Sequence, residues 1–141
     1  MLSYLPIILM ILASTCYHIA QKSVPAHVNP FSSLILNHAT ALTGTLVVMP
    51  LYPTRTAKPW SVENLNWASC AVGVSIVGVE LGVLLAYRTG WKISIVSVMG
   101  NTASAILLVV IGLVFFHEHV SVRGLIGVGL SLLGLALIAH Y

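Results

Sequence analysis

The residue with the most chemistry to offer is Glu80, a carboxylate about three residues past the middle of the apolar run Leu65 to Tyr87. An ionised side chain at that depth of a hydrocarbon layer costs roughly 2.5 to 3.5 kcal/mol on insertion scales, so it is seldom kept without a use. A carboxyl withdrawn from water favours its neutral form. A residue so placed can hold a proton and release it when a cation or a basic neighbour arrives. The competing reading is a hydrogen-bonded glutamate that joins helices, with Gly78 and Gly82 on either side as a small-xxx-small pair for close packing.

Other polar residues fall into stripes at helical spacing. Positions three, four and seven apart share one face of a helix. Ser14, His18 and Gln21 form such a face, as do Ser33, Asn37, Thr40 and Gly44, and again Ser94, Ser97, Asn101 and Ser104. Each stripe is expected to point inward, either as helix-packing groups or as the lining of a wet interior. At about 1.5 Å per residue, His18, Asn37, Glu80 and Asn101 lie at similar depths, roughly 4 to 10 Å to one side of the midplane. They can form one polar layer. Lys22, Arg88 and Lys92 rim the same side, with Tyr87 between layer and rim.

The elements that must position these residues are five apolar spans, at about Leu2 to Gln21, Phe31 to Tyr52, Leu65 to Tyr87, Trp91 to His117 and Val122 to His140. Each is close to the roughly 20 residues needed to cross a bilayer core of about 30 Å. The composition agrees: of 141 residues 58% are hydrophobic and 6% charged, and there is no aspartate. A soluble domain of this kind lacks the charge to cover itself. The expected fold is therefore all-α, a single polytopic domain over residues 1–141. Prolines and tryptophans mark the connections, with Pro25 and Pro30 around the first and Pro50, Pro53, Pro59, Trp60 and Trp67 along the second. Arg88 to Lys92 makes a tight third turn, and His117 to Arg123 the fourth.

Basic residues are shared equally between the two faces: Arg55, Lys58 and Arg123 on one, Lys22, Arg88 and Lys92 on the other. The bias that normally orients a membrane protein is missing. A chain without it can insert both ways, and two opposed copies would build an inverted repeat of ten helices. The net charge of +3 comes from these interfacial residues and not from a basic patch, which argues against a nucleic-acid partner.

Several other chemistries are set aside. Ala13-Ser14-Thr15-Cys16 looks like a lipoprotein processing site, but no basic region precedes it and the apolar run continues to about Gln21. Cys16 and Cys70 sit at opposite depths, so a disulfide between them is not expected. His117, Glu118 and His119 are an incomplete ligand set at a helix end, where histidine suits a C-terminal cap better than a metal. No nucleophile-base constellation, phosphate loop or dinucleotide fingerprint is present, so neither an enzyme nor a cofactor is expected.

The last quarter carries a different signal. Gly124, Gly127, Ser131 and Gly134 share one face of the fifth span and let another backbone approach. Glu118-His119-Val120-Ser121, followed by Gly127, Leu130 and Gly134, resembles the end of an EamA domain of the drug/metabolite transporter superfamily. Five spans in this length also resemble one EamA half, or an enlarged small multidrug resistance protein. The resemblance implies a central cavity lined mainly by helices one, three and four, a fifth helix between halves, and a turn role for Glu118. The family often has an arginine early in the second span. Here that region reads Asn37-His38, so contacts made by that arginine do not carry over.

The function expected from these readings is a secondary transporter of small organic metabolites or cationic compounds. It would work by alternating access, proton-linked or facilitative, as an antiparallel homodimer of dual topology in a bacterial or archaeal inner membrane. Its substrate and proton site would draw on Glu80, His18, Asn37, Asn101, Tyr87 and Lys22. The alternatives are a non-transporting membrane subunit and a carrier of a lipid-linked sugar.

Overall fold

In a computed structural model, which describes residues 4–51, 66–117 and 121–139, every regular element is helical. The helices are α1 (Leu5–Ser23), α2 (Pro30–Val48), α3 (Trp67–Arg88), α4 (Ile93–Phe115) and α5 (Val122–Ala139), and the turn Met49–Leu51 extends α2. They match the five expected spans to within a few residues at each described end. Arg55, Lys58, Trp60, Glu63, Glu118, His119 and His140 lie outside the described residues.

The helix ends follow local chemistry. Asn29 stands before Pro30, and its side chain accepts from the Phe31 amide at 2.9 Å. Proline at the first helical position gives up an N–H that would have no intrahelical partner anyway. Asn66 caps α3 in the same way, accepting from the Ala68 amide at 3.0 Å. At the start of α5 the Ser121 hydroxyl accepts from the Gly124 amide at 3.2 Å. The turn after α3 runs through Gly90 at φ 95, a left-handed conformation that glycine adopts without strain. His117 follows the end of α4 at φ 50, the left-handed position that often closes a helix.

Four helices are long and apolar enough to cross a membrane: α1, α2 with its extending turn, α3 and α4. Their described lengths of 19 to 23 residues correspond to about 28 to 35 Å at 1.5 Å per residue. The fifth is apolar over Val122–Ile138 but shorter, about 26 Å on the same rise. Apolar side chains along all five stay exposed, among them Leu9, Leu36, Val74, Leu108 and Leu137. So much unburied apolar surface is unstable in water and stable in lipid. The chain is a multi-pass membrane protein.

The chain divides into two units. One runs from Ala20 to Thr89, and the other combines the residues up to Ile19 with those from Gly90 onward. In the first unit α2 packs on α3, and the buried apolar side chains among the described residues, Leu34, Leu84 and Tyr87, all belong to these two helices. The two helices are antiparallel. The Arg88 guanidinium at the end of α3 donates through Nη2 to the Val28 carbonyl, just before α2, at 2.6 Å and reaches the Pro25 carbonyl at 3.5 Å. This ties down the loop between α1 and α2. In the second unit α4 packs on α5. Asn101, Thr102, Ala105 and Ile106 of α4 line a groove of about 430 Å³ with Gly124, Gly127, Val128 and Ser131 of α5.

Several hydroxyls along the helices satisfy themselves. Thr43, Thr45, Ser75 and Ser131 each donate to the carbonyl four residues earlier, at 2.8 to 2.9 Å. A polar group bonded within its own helix leaves no unmet hydrogen bond in lipid.

Candidate functional site

The antiparallel packing of α2 on α3 sets the depth at which their residues meet. Asn37 lies two turns from the start of α2 and Glu80 about two turns from the end of α3, so the two share a level. Asn37 Nδ2 donates to Glu80 Oε2 at 3.2 Å. The depth argument from sequence placed these two in one layer, and here they touch.

A third residue completes the cluster. His38 Nδ1 is 3.9 Å from the same Glu80 Oε2, too far for a hydrogen bond, and 2.8 Å from the Leu34 carbonyl of its own helix. A carbonyl only accepts, so the Nδ1 position carries the hydrogen. In the neutral ring that leaves a lone pair on Nε2, which is buried and has no hydrogen-bond partner among the described residues. The Glu80 side chain is 16% exposed and that of His38 39%. A carboxylate largely withdrawn from solvent thus has one amide donor and one imidazole beside it.

Sequence reasoning passed over His38 as a site residue, because it stands one position off the Ser33, Asn37 and Thr40 stripe. The signal available was chemical. It is the one imidazole in the second span, and the span that follows carries a carboxylate.

The rim forms as a second cluster toward the end of α3. Lys22 Nζ donates to the Tyr87 carbonyl at 3.4 Å and lies 5.4 Å from the centre of the Tyr87 ring, within cation–π range. Tyr87 is 5% exposed. Both of its flanking basic residues are therefore engaged, Lys22 with Tyr87 itself and Arg88 with the loop carbonyls.

The remaining candidates sit in the other unit. His18 is half-buried on α1, with the Tyr17 ring edge-on at 5.3 Å. Asn101 is exposed at the α4–α5 groove and makes no hydrogen bond among the described residues. Gly124, Gly127 and Ser131 line that same groove, so part of the small face of α5 is turned toward α4. Yet a Cβ added at Gly127 or Gly134, or at Gly78 or Gly82 beside Glu80, would meet nothing within 4 Å. The close backbone approach expected at these glycines is not made among the described residues. Of the stripes, Ser33 and Gln21 are buried and Asn37 half-buried, whereas Thr40, Ser94, Asn101 and Ser104 are exposed.

Compared with models of known families, with curated proteins and with solved structures, the chain matches none. The Asn37, His38 and Glu80 cluster stands between two helices that are each long and apolar enough to cross a membrane.

Proposed function

We propose that this protein is a secondary transporter of small organic solutes, with Glu80 as the carboxylate that binds a proton or a cationic solute. The observation that supports this reading most is the placement of Glu80. A group costing roughly 2.5 to 3.5 kcal/mol to insert is held at mid-depth, largely shielded from solvent but with only one hydrogen bond among the described residues, from Asn37, to stabilise it. A carboxylate kept solely as structural glue gains most when its oxygens are fully satisfied. Glu80 Oε1 has no hydrogen-bond partner among the described residues.

In this proposal all five helices cross the membrane and two copies assemble in opposite orientations, consistent with the balanced loop charges and with the glycines left open on α5. The similarity to EamA-type transporters belongs to the same proposal. The alternative, a non-transporting subunit, draws support from the Asn37 to Glu80 bond, which directly joins α2 to α3.

The test is flux in proteoliposomes containing this chain alone, under an imposed proton gradient, with a panel of organic amines and neutral metabolites. Wild type should move at least one of them. Glu80→Gln should keep its fold and lose proton-linked flux, since the amide preserves size and hydrogen bonding but does not ionise. Full transport by a well-folded Glu80→Gln protein assigns Glu80 to joining helices. Absence of flux from the wild-type chain favours the subunit reading.

A further inference from the structure

The α2–α3 cluster is rich in acceptors and poor in donors, which bears on what it can bind. Asn37 spends an amide hydrogen on Glu80 Oε2. The Nδ1 hydrogen of His38 is committed to the Leu34 carbonyl. What remains among the described residues is Glu80 Oε1, the Asn37 side-chain Oδ1 and the sealed lone pair of His38 Nε2. A buried acceptor without a donor is unfavourable until a donor reaches it; Nε2 itself is sealed, so a ligand donor meets it when the His38 ring, whose side chain is 39% exposed, turns toward the opening.

We propose that this cluster recognises organic cations that carry N–H bonds, primary or secondary ammonium groups, and discriminates against quaternary ammonium, with His38 Nε2 as the discriminating acceptor. The inference rests on the reading of Glu80 as a cation-binding carboxylate and names the class of cation. Charge alone does not separate the two kinds of ligand, because both are attracted to a carboxylate. Hydrogen bonding does. A primary ammonium presents three donors and can satisfy the carboxylate and the imidazole together. A trimethylammonium group presents none, and its methyl groups would leave Nε2 and Oε1 unpaired. A site built to hydrogen-bond its ligand strongly rejects an analogue that lacks the matching group.

The experiment is calorimetric titration of the purified full chain in detergent with two probes of equal charge and similar aromatic body, benzylammonium and benzyltrimethylammonium. Wild type should bind benzylammonium at least about tenfold more tightly. His38→Phe should bind both with nearly equal affinity, because the carboxylate remains and the acceptor is gone. Glu80→Gln should lose both. His38→Leu repeats the test with a smaller side chain if phenylalanine disturbs folding, as judged by melting temperature. Equal affinities in wild type, or an unchanged preference in both folded His38 variants, overturn the inference and leave the cation-binding reading intact. Binding of neither probe to wild type, or undiminished binding by folded Glu80→Gln, overturns the reading of Glu80 itself.

Discussion

A double-mutant cycle on Asn37 and Glu80 measures directly what holds α2 to α3 at mid-membrane. The bond is a single one, from Asn37 Nδ2 to Glu80 Oε2, at 3.2 Å. That is longer than the 2.7 to 2.9 Å typical of strong charge-assisted pairs. Interhelical hydrogen bonds in membranes average about 0.6 kcal/mol in such cycles and reach about 1.7. With a carboxyl acceptor largely shielded from solvent, a coupling of about 1 kcal/mol is expected, roughly fivefold in the unfolding equilibrium. Wild type, Asn37→Ala, Glu80→Ala and the double variant would be unfolded with SDS in mixed micelles and followed by helical circular dichroism. Losses that add to within about 0.3 kcal/mol would refute the bond as a contributor. The corresponding cycle between His38 and Glu80 should read a smaller coupling, because 3.9 Å is beyond hydrogen-bond reach. Asn37→Asp should destabilise more than Asn37→Ala, since it sets a second carboxylate against the first.

Three further outcomes follow from other parts of the chain. Arg88→Ala removes the 2.6 Å bond to Val28 and the longer reach to Pro25, which should destabilise the protein by about 1.5 kcal/mol and speed maleimide labelling of a cysteine placed at His27; unchanged labelling would show that the loop is held by other contacts. Gly134→Leu meets open space within the chain, so it should leave the melting temperature of the monomer in detergent unchanged while reducing dimer cross-linking in membranes, and undiminished cross-linking would separate this glycine from any interface. Reporters fused to the C-terminus should appear on both sides of the membrane, with lysines added at one end forcing a single orientation; one fixed orientation in an active protein would remove the antiparallel dimer.

Much of this architecture was legible in the residues alone, and the reason is periodic geometry. A helix rises by a constant amount per residue, so the depths of Asn37 and Glu80 could be counted from the ends of their apolar runs, and the structure joins them. Loop positions were equally local, written in Asn29-Pro30, Asn66 and Gly90, whose capping and turn chemistry needs no distant partner. Helix rotation and the choice of neighbour are different in kind. Spans that are apolar on nearly every face give weak directional preference, and in lipid no hydrophobic force selects one apolar face over another. That α2 lies against α3 and α4 against α5 was therefore set by packing. Packing also decided that His38, one position off the polar stripe, would stand 3.9 Å from Glu80. The sequence by itself determined which residues share a depth in the membrane; only the tertiary structure decided which of them face one another, because depth follows from the rise of one helix while azimuth follows from the fit between two.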